Sequence, residues 1–280
     1  MLNNFDSNGI ALKPVKRNRF WLKTLIIGFT IYIATIIAFV YSNNPNLFPT
    51  IVLVGNFLVP VSFVSFFYER RANFHLSILS TALCFFYGGI LGTITASILE
   101  PYFIHDLTFS TSFMVGVIEE STKMIGVLLI AGHGKHKSAM TGLILGAAAG
   151  MGFAAFESTG YAFNVFLQSG GSLSEVVAIT LIRGIISPVG HGTWSAILAS
   201  VLLRESGPRG YNINSKVVGA FLVVVILHGL WDGLPFVMNR IFPVLHSVFI
   251  GQLTIGVIGL VILYRRWREA VEPRQIVQHQ

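Results

Sequence analysis

The chain has 280 residues, 53% of them hydrophobic and only 11% charged, with a mean hydropathy of +0.71. Soluble domains are about a quarter charged, so the composition excludes an ordinary soluble domain and points to a membrane protein. A net charge of +7 and a pI near 9.7 raise nucleic acid as a partner, and the placement of the basic residues decides that question below. The single cysteine, Cys84, lies in an apolar run, which excludes a disulfide within the chain and makes a thiol nucleophile a poor expectation.

A helix needs about 20 apolar residues to cross a bilayer core at 1.5 Å per residue. Taken in chain order, runs of that kind are expected at 20–41, 48–68, 76–99, 111–131, 138–167, 174–203, 217–238 and 246–264. The expected fold class is therefore all-α, a polytopic bundle of about eight transmembrane helices. The first run starts near Phe20, is long enough to span, and has no small-residue cleavage pattern behind it, so no cleaved signal is expected. The fifth and sixth runs are longer than a crossing requires, and Pro188 is the expected bend in the sixth. Expected domains are a basic N-terminal segment over 1–19, a membrane domain over 20–264 with its core near 110–238, and a tail over 265–280.

Loop charge sets the expected sidedness. Lys13, Lys16, Arg17, Arg19 and Lys23 precede the first run; Arg70 and Arg71 follow the second; Lys135 and Lys137 follow the fourth. Arg204, Arg209 and Lys216 follow the sixth run, and Arg265, Arg266, Arg268 and Arg274 follow the eighth. With eight crossings all of these share one side, whereas the other side has Arg240 against Glu100, Asp106 and Glu175. Both termini are then cytoplasmic, and the basic residues orient the chain in the lipid bilayer instead of binding nucleic acid.

Small residues repeat every four positions at Gly142, Gly146 and Gly150, and again at Gly88 and Gly92, which predicts close helix contacts. No internal repeat of the transporter kind is evident.

Ionisable side chains at membrane depth cost roughly 2.5 kcal/mol or more on insertion scales, so those that persist mark function. Glu119, Glu120, Lys123, Glu157, Arg183 and Asp232 all lie inside expected spans, joined by His191 and His228. Glu119 and Lys123 are four apart, as are Glu157 and Tyr161, and His228 and Asp232, so each pair shares a helix face. Arg183 and His191 are eight apart and are expected on one face of the sixth helix. Counted from the outer ends at 1.5 Å per residue, most of these groups lie roughly 9–15 Å deep. One water-accessible pocket in the outer half of the bilayer is expected.

This set suits activation of water against a carbonyl. A glutamate would take the proton and imidazole would stabilise the oxyanion. Arg183 is expected to neutralise a carboxylate or tie down carbonyls near Pro188, Tyr161 to contribute an orienting hydroxyl, and Trp194 and Trp231 to pack. Ser195 is four residues from His191 with no acid on its span to complete a triad. This set by itself names no cofactor and leaves the need for a metal open. A divalent metal such as zinc is conceivable, with Glu120, Glu157, His191 and His228 as candidate ligands, although the HExxH spacing is absent. His75, His105, His133, His136 and His246 fall at span ends or in loops and are assigned no role.

Three segments carry a resemblance. Glu119-Glu120-Ser121-Thr122-Lys123 matches EExxK, Phe156-Glu157-Ser158-Thr159-Gly160-Tyr161 matches FExxxY, and His228-Gly229-Leu230-Trp231-Asp232 matches HxxxD, with His191 between the last two. In this order, over about residues 110–235, the chain resembles the PrsW family of intramembrane proteases. That family is related to the CAAX prenyl endopeptidases, to bacteriocin-processing proteases and to the scaffold subunit of gamma-secretase. The resemblance implies peptide-bond hydrolysis in or beside the membrane, with a membrane-anchored, single-pass, anti-sigma-factor-like protein as substrate, in a bacterial cell membrane.

It also implies Glu119 as base with Glu120 beside it, His191 positioning water or oxyanion, and His228 with Asp232 at the oxyanion site. Lys123, Glu157, Tyr161 and Arg183 are the supporting residues. The CAAX relatives have FxxxH and HxxxN where this chain has FExxxY and HxxxD, which leaves the roles of Glu157 and of the two histidines open. A non-catalytic scaffold and a proton-coupled transporter are alternative uses of the same buried charges.

Overall fold

A computed structural model describes residues 19–70, 76–132, 138–207, 210–241 and 245–271 of the chain, without the side chains of residues 239 and 245–249. Most of the expected N-terminal segment (1–18), the end of the tail (272–280), and Arg71, His75, His133, Lys135, His136, Lys137 and Arg209 lie outside the described residues, as does the His246 side chain.

The described residues contain no strand, and the helices fall where the apolar runs predict them. They are α1 (Phe20–Ser42), α2 (Phe48–Glu69), α3 (Ile78–Phe103), α4 (Ser112–Ala131), α5 (Ala139–Gln168), α6 (Leu173–Ile186), α7 (His191–Glu205), α8 (Ser215–Ile241) and α9 (Leu245–Val271). Six stretches among the described residues are long and apolar enough to cross a membrane: Phe20–Ser42, Pro45–Glu69, Ile78–Phe103, Ala139–Gln168, Leu173–Glu205 and Ser215–Met238. The 20-residue α4 has the length but carries Glu119, Glu120 and Lys123 along its middle, which lowers its apolar character.

The expected sixth span departs from expectation. It is interrupted by a 3₁₀ turn, Ser187–Val189, and resumes at His191 after Gly190. Pro188 has no N–H to continue the helical ladder, so a break replaces the expected bend. Arg183 and His191 therefore sit on two different helices, and the shared-face argument for them does not hold.

α5 is the central helix. In its most apolar stretch 89% of residues are buried, against 6% for α1, which packs on α2 at the periphery. The cause is the glycine row read from the sequence. A Cβ on Gly142, Gly146 or Gly150 would collide with the backbone carbonyl oxygens of Ala199, Ser195 and His191 on α7 respectively. Only hydrogen at these positions lets the two helices approach so closely. Along an adjoining face of α5 Gly88 of α3 meets Ala149, and Gly126 of α4 abuts Gly88. The small residues thus lock α3, α4, α5 and α7 together, and the polar residues of α4, α5 and α7 are held by backbone contact.

A Gly146→Leu change should therefore lower the thermal midpoint in detergent, with a loss of roughly 1–3 kcal/mol from overpacking. Gly160, on the same helix with nothing within 4 Å of an added Cβ, is the control, and Gly160→Ala should leave the midpoint unchanged or raise it. Equal midpoints for Gly146→Leu and the unaltered chain would contradict this packing.

Candidate active site and metal centre

Lys123 is fully buried in α4 and its ammonium has three protons. The Nζ donates to Glu119 Oε2 at 2.9 Å, to Glu120 Oε1 at 2.7 Å and to His191 Nδ1 at 2.8 Å. An ammonium has no acceptor, so His191 Nδ1 must be the accepting nitrogen and the ring proton sits on Nε2. That Nε2 faces Glu157 Oε2 at 3.3 Å, and the same oxygen accepts from Arg183 Nη2 at 2.6 Å. Arg183 Nε donates to Ser158 Oγ at 2.9 Å, and its guanidinium carbon stands 3.9 Å from the centre of the Tyr161 ring. Arg183 thus neutralises a carboxylate, as expected. Tyr161 offers Arg183 its ring, where a hydroxyl was expected to act.

Glu120 is the deeper carboxylate, with no exposed side-chain surface. Its Oε1 also meets His228 Nδ1 at 3.1 Å, and its Oε2 accepts from Ser195 Oγ at 3.0 Å. Ser195 is therefore a buried hydrogen-bond donor to a glutamate. The sequence shows the serine but not the α4–α7 contact that gives it a partner. The other nitrogen of His228, Nε2, faces Glu119 Oε2 at 3.5 Å and Asp232 Oδ2 at 3.3 Å. A neutral ring that gives its one proton to Glu120 leaves Nε2 a lone pair opposite two carboxylates. That arrangement calls for a second proton or a cation there.

Trp194, with no exposed surface, packs against both imidazoles, with ring centroids 5.5 Å from His191 and 4.6 Å from His228. Trp231 packs on Trp194 in turn at 5.8 Å. Packing is the assignment the sequence suggests for both, and Trp194 is the one that packs on the two histidines.

The cluster opens on a cavity of about 490 Å³. Glu119, Glu157, Tyr161, Arg183, His191, His228 and Asp232 line it, and Glu120 and Lys123 do not. Glu100 of α3 also lines it. In the sequence Glu100 falls among the charges of the outer side; only the packing of α3 against α4 and α5 turns it toward the cavity.

One oxygen of Glu119 and one nitrogen each of His191 and His228 lie within 4.8 Å of one another. A carboxylate with two imidazoles is a usual donor set for catalytic zinc. Tetrahedral zinc with bonds of roughly 2.0–2.2 Å has ligand-to-ligand edges of about 3.3–3.6 Å. Glu119 Oε2 lies 3.6 Å from His191 Nδ1 and 3.5 Å from His228 Nε2, so the residues fit a metal. Glu157 then buttresses His191, and Glu120 buttresses His228, each at the nitrogen turned away from the shared centre. The donor set includes Glu119 in place of the expected Glu120 and Glu157. Lys123 competes with a metal here, because its ammonium reaches Glu119 Oε2 and His191 Nδ1 itself.

Comparison with known proteins matches residues 77–264 to the family model described as "PrsW family intramembrane metalloprotease". No curated protein and no solved structure matches the chain. The match spans more than half of the 280 residues and begins after α2. The chain belongs to that family and is a multi-pass membrane peptidase.

Zinc titrated into metal-free protein in detergent and followed by calorimetry should bind as a single ion per chain. His191→Ala or His228→Ala should remove that binding, and Glu157→Gln should weaken it roughly 10- to 100-fold, the usual cost of losing a buttress. Undiminished zinc binding in either histidine variant would contradict the assigned donor set.

Proposed function

We propose that this PrsW-family peptidase hydrolyses a peptide bond of a membrane-anchored, single-pass protein near the extracytoplasmic face, as in the first cut of an anti-sigma factor. We place it in a bacterial cell membrane with both termini cytoplasmic. The observation that carries the reading is the convergence of Glu119, His191 and His228 on the wall of one cavity.

Several features support the outer side. The cavity is lined by the last two turns of α3, by Ile104, His105 and Leu107 beyond it, and by the first turns of α4. Loop charge puts the segment between α3 and α4 opposite the basic loops. A cavity there admits water and a juxtamembrane segment from outside.

A metal held by Glu119, His191 and His228 would supply Lewis acidity toward the scissile carbonyl and a more acidic water. The residues of the chain divide the remaining work. Glu119 turns Oε2 into the cluster, while its Oε1 makes no hydrogen bond among the described residues and is not sealed off. Oε1 is the proton acceptor for water and returns the proton to the leaving amine. Glu120 is excluded from that step by position, since both of its oxygens are engaged away from the cavity wall. It anchors Lys123, Ser195 and His228.

With Nδ1 on Glu120 and Nε2 turned to Glu119 and Asp232, His228 has no N–H left for an oxyanion, so that stabilisation falls to the start of α7. The helix break puts Gly190 and His191 on the cavity wall. The first backbone N–H groups of a helix have no partner within it and point outward as donors, with the positive end of the helix dipole behind them. Glu157, gripped by Arg183, keeps His191 in the tautomer that turns Nδ1 toward the reaction centre.

Purified protein in liposomes should cleave a single-pass substrate. Glu119→Gln should reduce kcat by a factor of about 10² to 10⁴, the usual range for a general base. Glu120→Gln should cost stability as well as rate, because it strips partners from Lys123, Ser195 and His228. Turnover that survives both Glu119→Gln and His191→Ala would exclude this assignment.

A further inference from the structure

The charges around the cavity pair off with one exception. Glu119 and Glu120 share Lys123, Glu157 holds Arg183, and Asp232 faces His228. Glu100 has no ion pair among the described residues. Lys123 has spent all three protons elsewhere, and Arg183 is engaged by Glu157 and Ser158. Arg240, the other outer basic residue described, stands at the far end of α8 with no ion pair among the described residues.

Glu100 does not face lipid. Ser97, Glu100, Pro101 and Ile104 all line the cavity, the i, i+3, i+4, i+7 spacing of one face at the end of α3. Its carboxylate is within electrostatic range of Glu157, His228, Lys123 and Asp232, so it shares the space in which the reaction runs. Pro101 adds a second feature. It has no N–H to give the carbonyl of Ser97 one turn back, so α3 leaves that backbone acceptor without its helical partner in the stretch that lines the cavity. The Glu100 carboxylate and the Ser97 carbonyl on one wall, with Asp232 also at the cavity, offer acceptors to a single cation. An unmatched carboxylate near the membrane is costly, and a cation is the group that relieves that cost.

We propose that Glu100 is a specificity-determining residue. It receives, together with the Ser97 carbonyl and with Asp232, a lysine or arginine side chain of the substrate close to the scissile bond. The proposal rests on the proteolytic reading of the same cavity and adds a substrate class to it: membrane-anchored proteins with a basic residue beside the cleaved bond on the outer side. An ammonium or guanidinium is all donor and no acceptor, the complement of these three acceptors. A glutamate at the same substrate position meets like charge from Glu100 and Asp232 and is rejected.

The test is a single-pass reporter in liposomes, cleaved by the full-length protein, with Lys, Gln or Glu placed in turn at each residue flanking the cut. At one flanking position the unaltered enzyme should favour Lys over Glu in kcat/KM by roughly tenfold or more. Glu100→Gln should shrink that ratio to about twofold, Glu100→Asp should retain part of it, and Glu100→Lys should reverse it in favour of Glu. A Lys-to-Glu ratio that is flat in the unaltered enzyme, or unmoved by Glu100→Gln and Glu100→Lys, overturns the proposal. Failure of the unaltered enzyme to cut any reporter overturns instead the proteolytic reading on which it stands.

Discussion

Lys123 has three protons on its ammonium and three acceptors around it, from one helix turn below and from a helix 68 residues further along the chain. The Lys123 side chain has no exposed surface, so its ammonium keeps its charge through the acceptors around it. Each contact then dictates something else. The bond to His191 settles which ring nitrogen keeps its proton, which turns Nε2–H toward Glu157 and Nδ1 toward Glu119. The bond to Glu120 keeps that carboxylate in the depth of the bundle, where it holds His228 and Ser195. The bond to Glu119 leaves one oxygen for the cluster and one for the cavity.

Backbone contact makes this network rigid. Gly142, Gly146 and Gly150 let α7 ride on α5 with its carbonyls where side chains would otherwise stand, and His191 and Ser195 are among the residues so placed. A bulkier residue would push α7 outward and lengthen the contacts to His191 Nδ1 and Ser195 Oγ. Buried ion clusters are poor sources of net stability, because desolvation offsets most of the Coulomb attraction. The stability of this fold resides in the glycine contacts and the apolar core, and the ions give the site its definite geometry.

Much of this is legible in the sequence, and the reason is physical. Charges at membrane depth are expensive enough that Glu119, Glu120, Lys123, Glu157, Arg183 and Asp232 stand out singly, and helix periodicity groups them into facing pairs. What periodicity cannot show is register between helices. Ser195 finds Glu120 only because α7 packs against α4 and α5, and Trp194, on the same helix as His191, reaches His228 only because α8 packs on α7. Glu100 looks like a loop charge until the last turns of α3 are seen to face the cavity. Pro188 announces a disturbance in the sixth span, but a bend and a break read alike in one dimension, and the break moves His191 to the start of a helix of its own.

If Lys123 and its three acceptors behave as one unit, the energetics of removing them must be coupled. The most direct measurement is a double-mutant cycle on unfolding in detergent with Lys123→Met, Glu120→Gln and the pair together. Each single change should destabilise by about 3–5 kcal/mol, as a buried charge left without its partner does. The double change should cost less than the sum of the two by at least about 1 kcal/mol, within the range for residues of one network. Additive losses would contradict the account, because they would mean that the ammonium and the carboxylate at 2.7 Å do not depend on each other.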